Sequence, residues 1–419
     1  MAYFRVLDSA KRPMQRLGYL KHLLNRCTAL ETSSLETLGH DLTEVATRQV
    51  RISLTPALAE YVRRRLTDGT YRVLRGQVAA WERQDTASQA FLEMQDLYLS
   101  DPRLPSRTGK LVAEDWRKYP YLGVHLGLIR AGTWSPFERG LVLLRLTPKA
   151  ELEAFREYKP EANPMPISTG QRMLLLYCLL ENDGDVLKQL YVRLPEDQPF
   201  SDRDASDLLP DMFRMIGQQF WNRSLPVEER RKLERLLKIA DSIEQWRGRS
   251  YSGGGAREEA IRVRVEPFAD LGFLLKDDPY RYEYRLAPQA RAFFSALGPT
   301  ADVGTLLDGT FFQTWVAAFG PSQVRPATTD EMRAALTRAW NEIKSPLGYT
   351  PIVDTALLGG IYALTEQGVT FEIATARQFL RDWQKESPAT VRFSVDRMGN
   401  MAHVRLLNHL TGVLTRAIL

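Results

Sequence analysis

Two short segments of this chain match each other, and the match constrains the fold more than any other feature. Leu126-Gly127-Leu128-Ile129 aligns with Leu271-Gly272-Phe273-Leu274 at an offset of 145 residues, and Arg145-Leu146-Thr147-Pro148-Lys149-Ala150 aligns with Arg285-Leu286-Ala287-Pro288-Gln289-Ala290 at an offset of 140. Each copy reads as a helix stopped at a Leu-Gly corner, then a hairpin, then a helix started by proline, with the first hairpin five residues longer. In the first copy a short helix ends at Gly127, the stretch from Trp134 to Gly140 turns, and Leu141 to Leu146 is the strand. In the second, Ala260 to Leu275 runs into a turn at Asp277-Asp278-Pro279-Tyr280, and Arg281 to Leu286 alternates as a strand.

A third hairpin is legible from Val391 to Val395 and from Met401 to Leu406, after a helix from Glu372 to Lys385. Helical periodicity covers Gln171 to Arg193, Asp202 to Gln219, Glu228 to Trp246 and Thr329 to Lys344. Residues 1 to about 100 also read as helices, with Thr55-Pro56 as cap and first turn and Asp68-Gly69 as a stop. Linker composition marks Asp101 to Gly109 and Arg247 to Gly255. The expected fold is mainly α with small β-hairpins (α+β). Its expected divisions are a helical domain over 1–108, hairpin modules over 109–160 and 247–300, a helical segment over 161–246, and a C-terminal domain over 301–419.

A helix ending in Leu-Gly, a charged turn and a strand reading Tyr-x-Leu or Leu-x-Leu-Thr resembles the second half of a winged-helix domain of the helix-turn-helix superfamily. The resemblance covers about 30 residues in each copy and, more loosely, 330–410. It implies tandem winged-helix modules joined by helical connections, each placing a helix in a DNA groove and a wing on the backbone. The helix of the second copy would be Arg257 to Leu271, with the wing at Phe273 to Leu286. Several such modules without an effector domain resemble accessory subunits of bacterial DNA-processing or anti-phage defence complexes. They are also similar in layout to kleisin-like subunits, whose winged helices bind protein.

Charge agrees with a polyanion partner only locally. The chain of 419 residues carries 56 Lys+Arg and 51 Asp+Glu, and the excess is +8 over residues 1–150, −3 over 151–250 and zero over 251–419. Candidate DNA contacts are Arg63, Arg64, Arg72 and Arg75 in the basic N-terminal third, where Arg72 and Arg75 share a helical stripe. Arg257, Arg262, Arg264, Tyr280 and Arg281 belong to the second copy, and Arg392 and Arg397 to the third hairpin. Arg262 and Arg264 stand two apart, about 200° around a helix, so one groove cannot receive both. Glu258, Glu259 and Glu266 dilute that helix and favour a protein contact or packing.

Enzyme signatures are sparse. Thr108-Gly109-Lys110-Leu111 lacks the earlier glycine and the hydroxyl of a phosphate loop, and neither Gly-x-Ser-x-Gly nor His-Glu-x-x-His occurs. Two cysteines, Cys27 and Cys178, and five scattered histidines offer no ligand spacing, so no cofactor or metal is expected. A metal-dependent nuclease needs few residues, and Glu342-Ile343-Lys344 has a fitting pattern, although on a helix. The acidic stretch from Glu196 to Asp211 reads as a helix N-terminus around Ser201 to Asp204. No leader and no apolar run long enough for a bilayer is read, so a cytoplasmic location is expected. The expectation is a non-catalytic subunit that binds double-stranded DNA and other protein subunits, with a protein-interaction subunit and a nuclease as alternatives.

Overall fold

The computed structural model describes residues 17–29, 118–130, 133–156, 167–245, 256–275, 283–297, 302–320, 323–395 and 401–407. The N-terminal part comprises α1 (Tyr19–Ala29), α2 (Lys118–His125), α3 (Glu138–Arg145) and α4 (Lys149–Arg156). A middle part follows with α5 (Thr169–Arg193), β1 (Phe200–Ser201), α6 (Asp202–Trp221), α7 (Val227–Gln245), α8 (Ala256–Asp270), β2 (Leu274–Leu275), β3 (Glu283–Leu286) and α9 (Pro288–Leu297). The remainder is α10 (Val303–Gly309), α11 (Phe311–Phe319), β4 (Arg325–Pro326), α12 (Thr329–Ile343), β5 (Thr350–Pro351), α13 (Ile352–Gln367), β6 (Val369–Thr370), α14 (Ile373–Glu386), β7 (Val391–Val395) and β8 (Met401–Leu406). The fold is mainly helical with small sheets of two or three strands.

Local sequence explains the helix starts. Ser168, Ser201 and Thr328 each close a capping box with Gln171, Asp204 and Glu331, which satisfies amides that the first turn leaves open. The acidic residues at Ser201 to Asp204 are therefore a helix cap. Helix α13 lacks a polar stripe because it packs against α3, α5, α12 and α14 and is buried from Ile352 to Leu364 except at Val353. No helix among the described residues is long and apolar enough to cross a membrane. Cys27 and Cys178 are buried free thiols, and burial pushes each up to about 12.

The Leu-Gly corners are equivalent in detail. The Leu128 amide donates to the Gly123 carbonyl at 2.7 Å and the Phe273 amide to the Phe268 carbonyl at 2.9 Å, the six-residue return of a helix ended by a left-handed residue. Gly127 and Gly272 supply that residue, with φ of 67° and 82°. Space is free around Gly272, where an added Cβ would meet nothing closer than 3.6 Å. Gly272→Ala should therefore lose only the conformational term, roughly 1–2 kcal/mol of stability in urea unfolding. An unchanged midpoint would mean that the corner relaxes.

Beyond the corner the match takes a different register from the one in the sequence. The expected strand Leu141 to Leu146 is instead the body of α3, and Ile129 pairs with Pro136 in a single bridge. A run of four apolar residues, Leu141 to Leu144, has no alternation and suits either conformation. Glu138 in the first turn and Arg145 in the last favour the helix, and Val142 and Leu143 face the core. The carbonyl of Leu128 accepts from the Phe137 amide just before α3, as that of Phe273 accepts from the Ala287 amide just before α9. Pro136-Phe137 thus corresponds to Leu286-Ala287. Ile129 and Pro136 stand 7 apart and Leu274 and Leu286 stand 12 apart, so the first hairpin is five residues shorter, not longer.

A larger repeat frames these details. Helix α5, strand β1, helices α6 and α8, and strands β2 and β3 form a unit whose antiparallel sheet has the order β1-β3-β2. Helix α12, strand β5, helices α13 and α14, and strands β7 and β8 repeat that plan, with the order β5-β8-β7, except that β6, paired in parallel with β4, stands between α13 and α14. In both, a two-residue first strand runs directly into the second helix. Helix α7 is inserted in the first unit and packs on α6.

Candidate nucleic-acid interface

Helix α14 is amphipathic, and its position is fixed from both sides. Ile373, Ala376 and Leu380 face the core, whereas Ala374, Thr375, Gln378, Arg381 and Lys385 form an exposed stripe. Just before the helix, buried Glu372 accepts amide bonds from Phe312 and Gln313 at 3.1 and 2.8 Å, which holds the start of α11 against it. Burial raises the Glu372 carboxyl above its usual range, and those amide donors oppose the shift. Arg377 forks onto Asp308 at 2.9 and 3.1 Å. On the flank, the Arg333 guanidinium lies over Phe379 and Trp383, 6.0 and 5.2 Å from the ring centroids.

Beside α14 the third hairpin forms as its sequence suggested, and β7 packs on the helix. Val391 and Val404 turn inward, while Arg392 stands opposite Arg405 and Ser394 opposite His403. Two like charges directly opposite on one face destabilise a sheet unless something of the other sign relieves them. No carboxylate pairs with Arg392 or Arg405 among the described residues; Arg405 instead lies over the Tyr349 ring, 5.8 Å from its centroid. Arg381 likewise makes no ion pair among the described residues, whereas Lys385 pairs with Asp382 at 2.8 Å.

The other sequence candidates fall elsewhere. Arg264 is 3% exposed, its Nε lies 2.7 Å from Asp183 of α5, and its guanidinium sits over Phe213. It is withdrawn from the candidate DNA contacts, because reaching a phosphate would break a buried ion pair. Arg262 binds Asp202 at the start of α6 at 2.5 Å. Helix α8 packs on α6 with Ile261, Val265 and Phe268 buried, so its described part supports the fold and offers no groove-reading face. Arg257 lies in the first turn of α8. Arg63, Arg64, Arg72, Arg75, Tyr280, Arg281 and Arg397 lie outside the described residues.

Glu342, the candidate nuclease acid, accepts from Tyr362 Oη at 2.5 Å and from Arg338 Nε at 3.1 Å. Lys344 donates to Asn341 and lies over the Trp340 ring. Both are engaged in local packing, and no cluster of His, Cys, Asp and Glu suited to a metal occurs among the described residues.

Gln378, Arg381 and Lys385 were not read from sequence as site residues. The signal was present as an i, i+3, i+7 polar stripe, but it resembled any solvated helix face. The chain matches no protein-family model, no curated protein and no solved structure.

Proposed function

We propose that this chain is a non-catalytic, double-stranded DNA-binding subunit of a larger assembly, and that its two repeated units are winged helices. The order helix, strand, helix, helix, strand, strand with the first strand beside the third supports the winged-helix reading. On this reading α14 is the groove helix and β7–β8 the wing of the DNA-binding unit. The first unit, whose α8 is engaged in packing, is a scaffold. The observation that carries DNA binding is the Arg392–Arg405 pair, a cross-strand repulsion that a phosphate backbone would relieve, with exposed Arg381 on the helix that β7 packs against.

Arg392→Glu tests this cleanly, because it places a carboxylate opposite Arg405 and so favours the hairpin. With Arg381→Glu, it should weaken duplex binding uniformly across sequences and reduce the salt slope by about 0.9 per lost phosphate contact. Fluorescence anisotropy on random-sequence duplex at several salt concentrations measures both, and an unchanged slope would refute the assignment.

A protein-docking role is the second reading. Val395 and Met401 pair at the loop end of the hairpin and are 62% and 42% exposed. Retained duplex binding in both arginine variants, with loss of a partner subunit in Val395→Asp, would favour it.

A further inference from the structure

The end of α6 carries a second surface, independent of α14 and the hairpin. Trp221 is the last residue of α6 and is 48% exposed, although large aromatic rings are ordinarily withdrawn from water. Neighbouring Phe220 is buried. Arg223 stacks its guanidinium over the Phe220 ring, 4.7 Å from the centroid, and Arg230 of α7 lies over the Trp221 ring at 5.7 Å. Arg230 also donates to the Arg223 carbonyl at 3.4 Å, which ties the two arginines across the α6–α7 corner. Asn222 and Ser224 beside them are exposed.

A protein contact would need a broad apolar patch, and this corner exposes only Trp221, Pro226 and Val227, interrupted by guanidinium and polar groups. We infer that the α6–α7 corner binds single-stranded nucleic acid, with Trp221 stacking an unpaired base and Arg223 and Arg230 engaging the adjoining phosphates. A nucleobase has a π face for the indole and is flanked by anionic groups at the spacing of neighbouring side chains. Stacking is indifferent to base identity, so the binding is without sequence preference. Helix α7 is the element inserted between the second and third helices of the first unit, so the insertion creates the corner.

The test is anisotropy of the full chain on a labelled oligothymidylate and on a random-sequence duplex, for wild type, Trp221→Ala, Trp221→Phe and Arg223→Glu. Loss of one stacked base should weaken single-strand binding about 5- to 150-fold in Trp221→Ala. Trp221→Phe should retain most of the affinity, and Arg223→Glu should reduce the salt slope by about 0.7. Unchanged single-strand affinity in Trp221→Ala overturns the inference, as does absence of wild-type single-strand binding at micromolar protein and low salt. Equal losses on both substrates also overturn it, since the corner would then belong to a duplex surface. Thermal melting by circular dichroism reports folding, and if Trp221→Ala melts early, the Trp221→Phe and Arg223→Glu titrations decide alone. Failure of duplex binding in Arg392→Glu leaves this result standing, because the two surfaces are changed by different variants.

Discussion

Arg264→Ala is expected to destabilise the fold by about 3–5 kcal/mol without changing duplex affinity. The loss does not measure the attraction between Arg264 and Asp183. It comes from removing the guanidinium that lies 2.7 Å from a carboxylate only 2% exposed, together with the loss of guanidinium packing over Phe213. Asp183→Ala removes the carboxylate 2.7 Å from the buried guanidinium and should cost a similar amount. Replacing the pair together, as Arg264→Met with Asp183→Leu, should recover most of the stability, because well-packed apolar groups need no mutual compensation. Urea unfolding followed by circular dichroism measures all four corners of the cycle. If Arg264→Ala leaves the midpoint in place, Asp183 has solvent or another cation within reach and the buried-pair account fails. If it abolishes DNA binding in a protein that still melts normally, α8 reads DNA after all.

Arg264 also shows where a sequence stops being legible. An arginine on a helix before a turn and a strand has the same local appearance whether it points to a phosphate or to an aspartate 81 positions earlier in the chain. The decision is tertiary, made by the packing of α8 on α6 and α5. Caps and corners, by contrast, are local chemistry. Ser201 and Asp204, Gly127 and Gly272, and the Val391–Leu406 hairpin were readable because the residues that form each feature lie within a few positions of one another. Leu141 to Leu144 lay between these cases, since four consecutive apolar residues carry no period. The two-residue strands β1 and β5 were missed for a related reason: their pairing partners, β3 and β8, are far along the chain. Without them the sheet order common to the two units was invisible. Arg392 was a candidate DNA contact in the sequence, but its significance depends on the register that puts Arg405 opposite, and register is set across two strands.

Acidification should unfold the N-terminal region through His22. This residue of α1 is fully buried, and burial, with the charge of Arg26 one turn on, lowers its pKa from 6.5 to about 3. The unfolded chain therefore takes up a proton below pH 6.5 that the folded chain refuses until about pH 3. Stability from this group is complete above pH 6.5 and falls as pH drops through that window. The slope approaches about 1.4 kcal/mol per pH unit and totals at most about 5 kcal/mol. Glu372 has the opposite sign: its raised folded pKa favours the folded state as pH falls, but only around the carboxylate range. Between pH 6 and 5 the histidine should thus dominate of the two. Urea midpoints at pH 7, 6, 5 and 4 for wild type and His22→Leu isolate the effect, because only the difference in slope is read and any packing change shifts both ends equally. The wild-type curve should fall away from that of the variant below about pH 6. Parallel curves would mean that His22 is protonated in the folded protein or reaches water, and α1 would then have to be packed differently against α3 and α4.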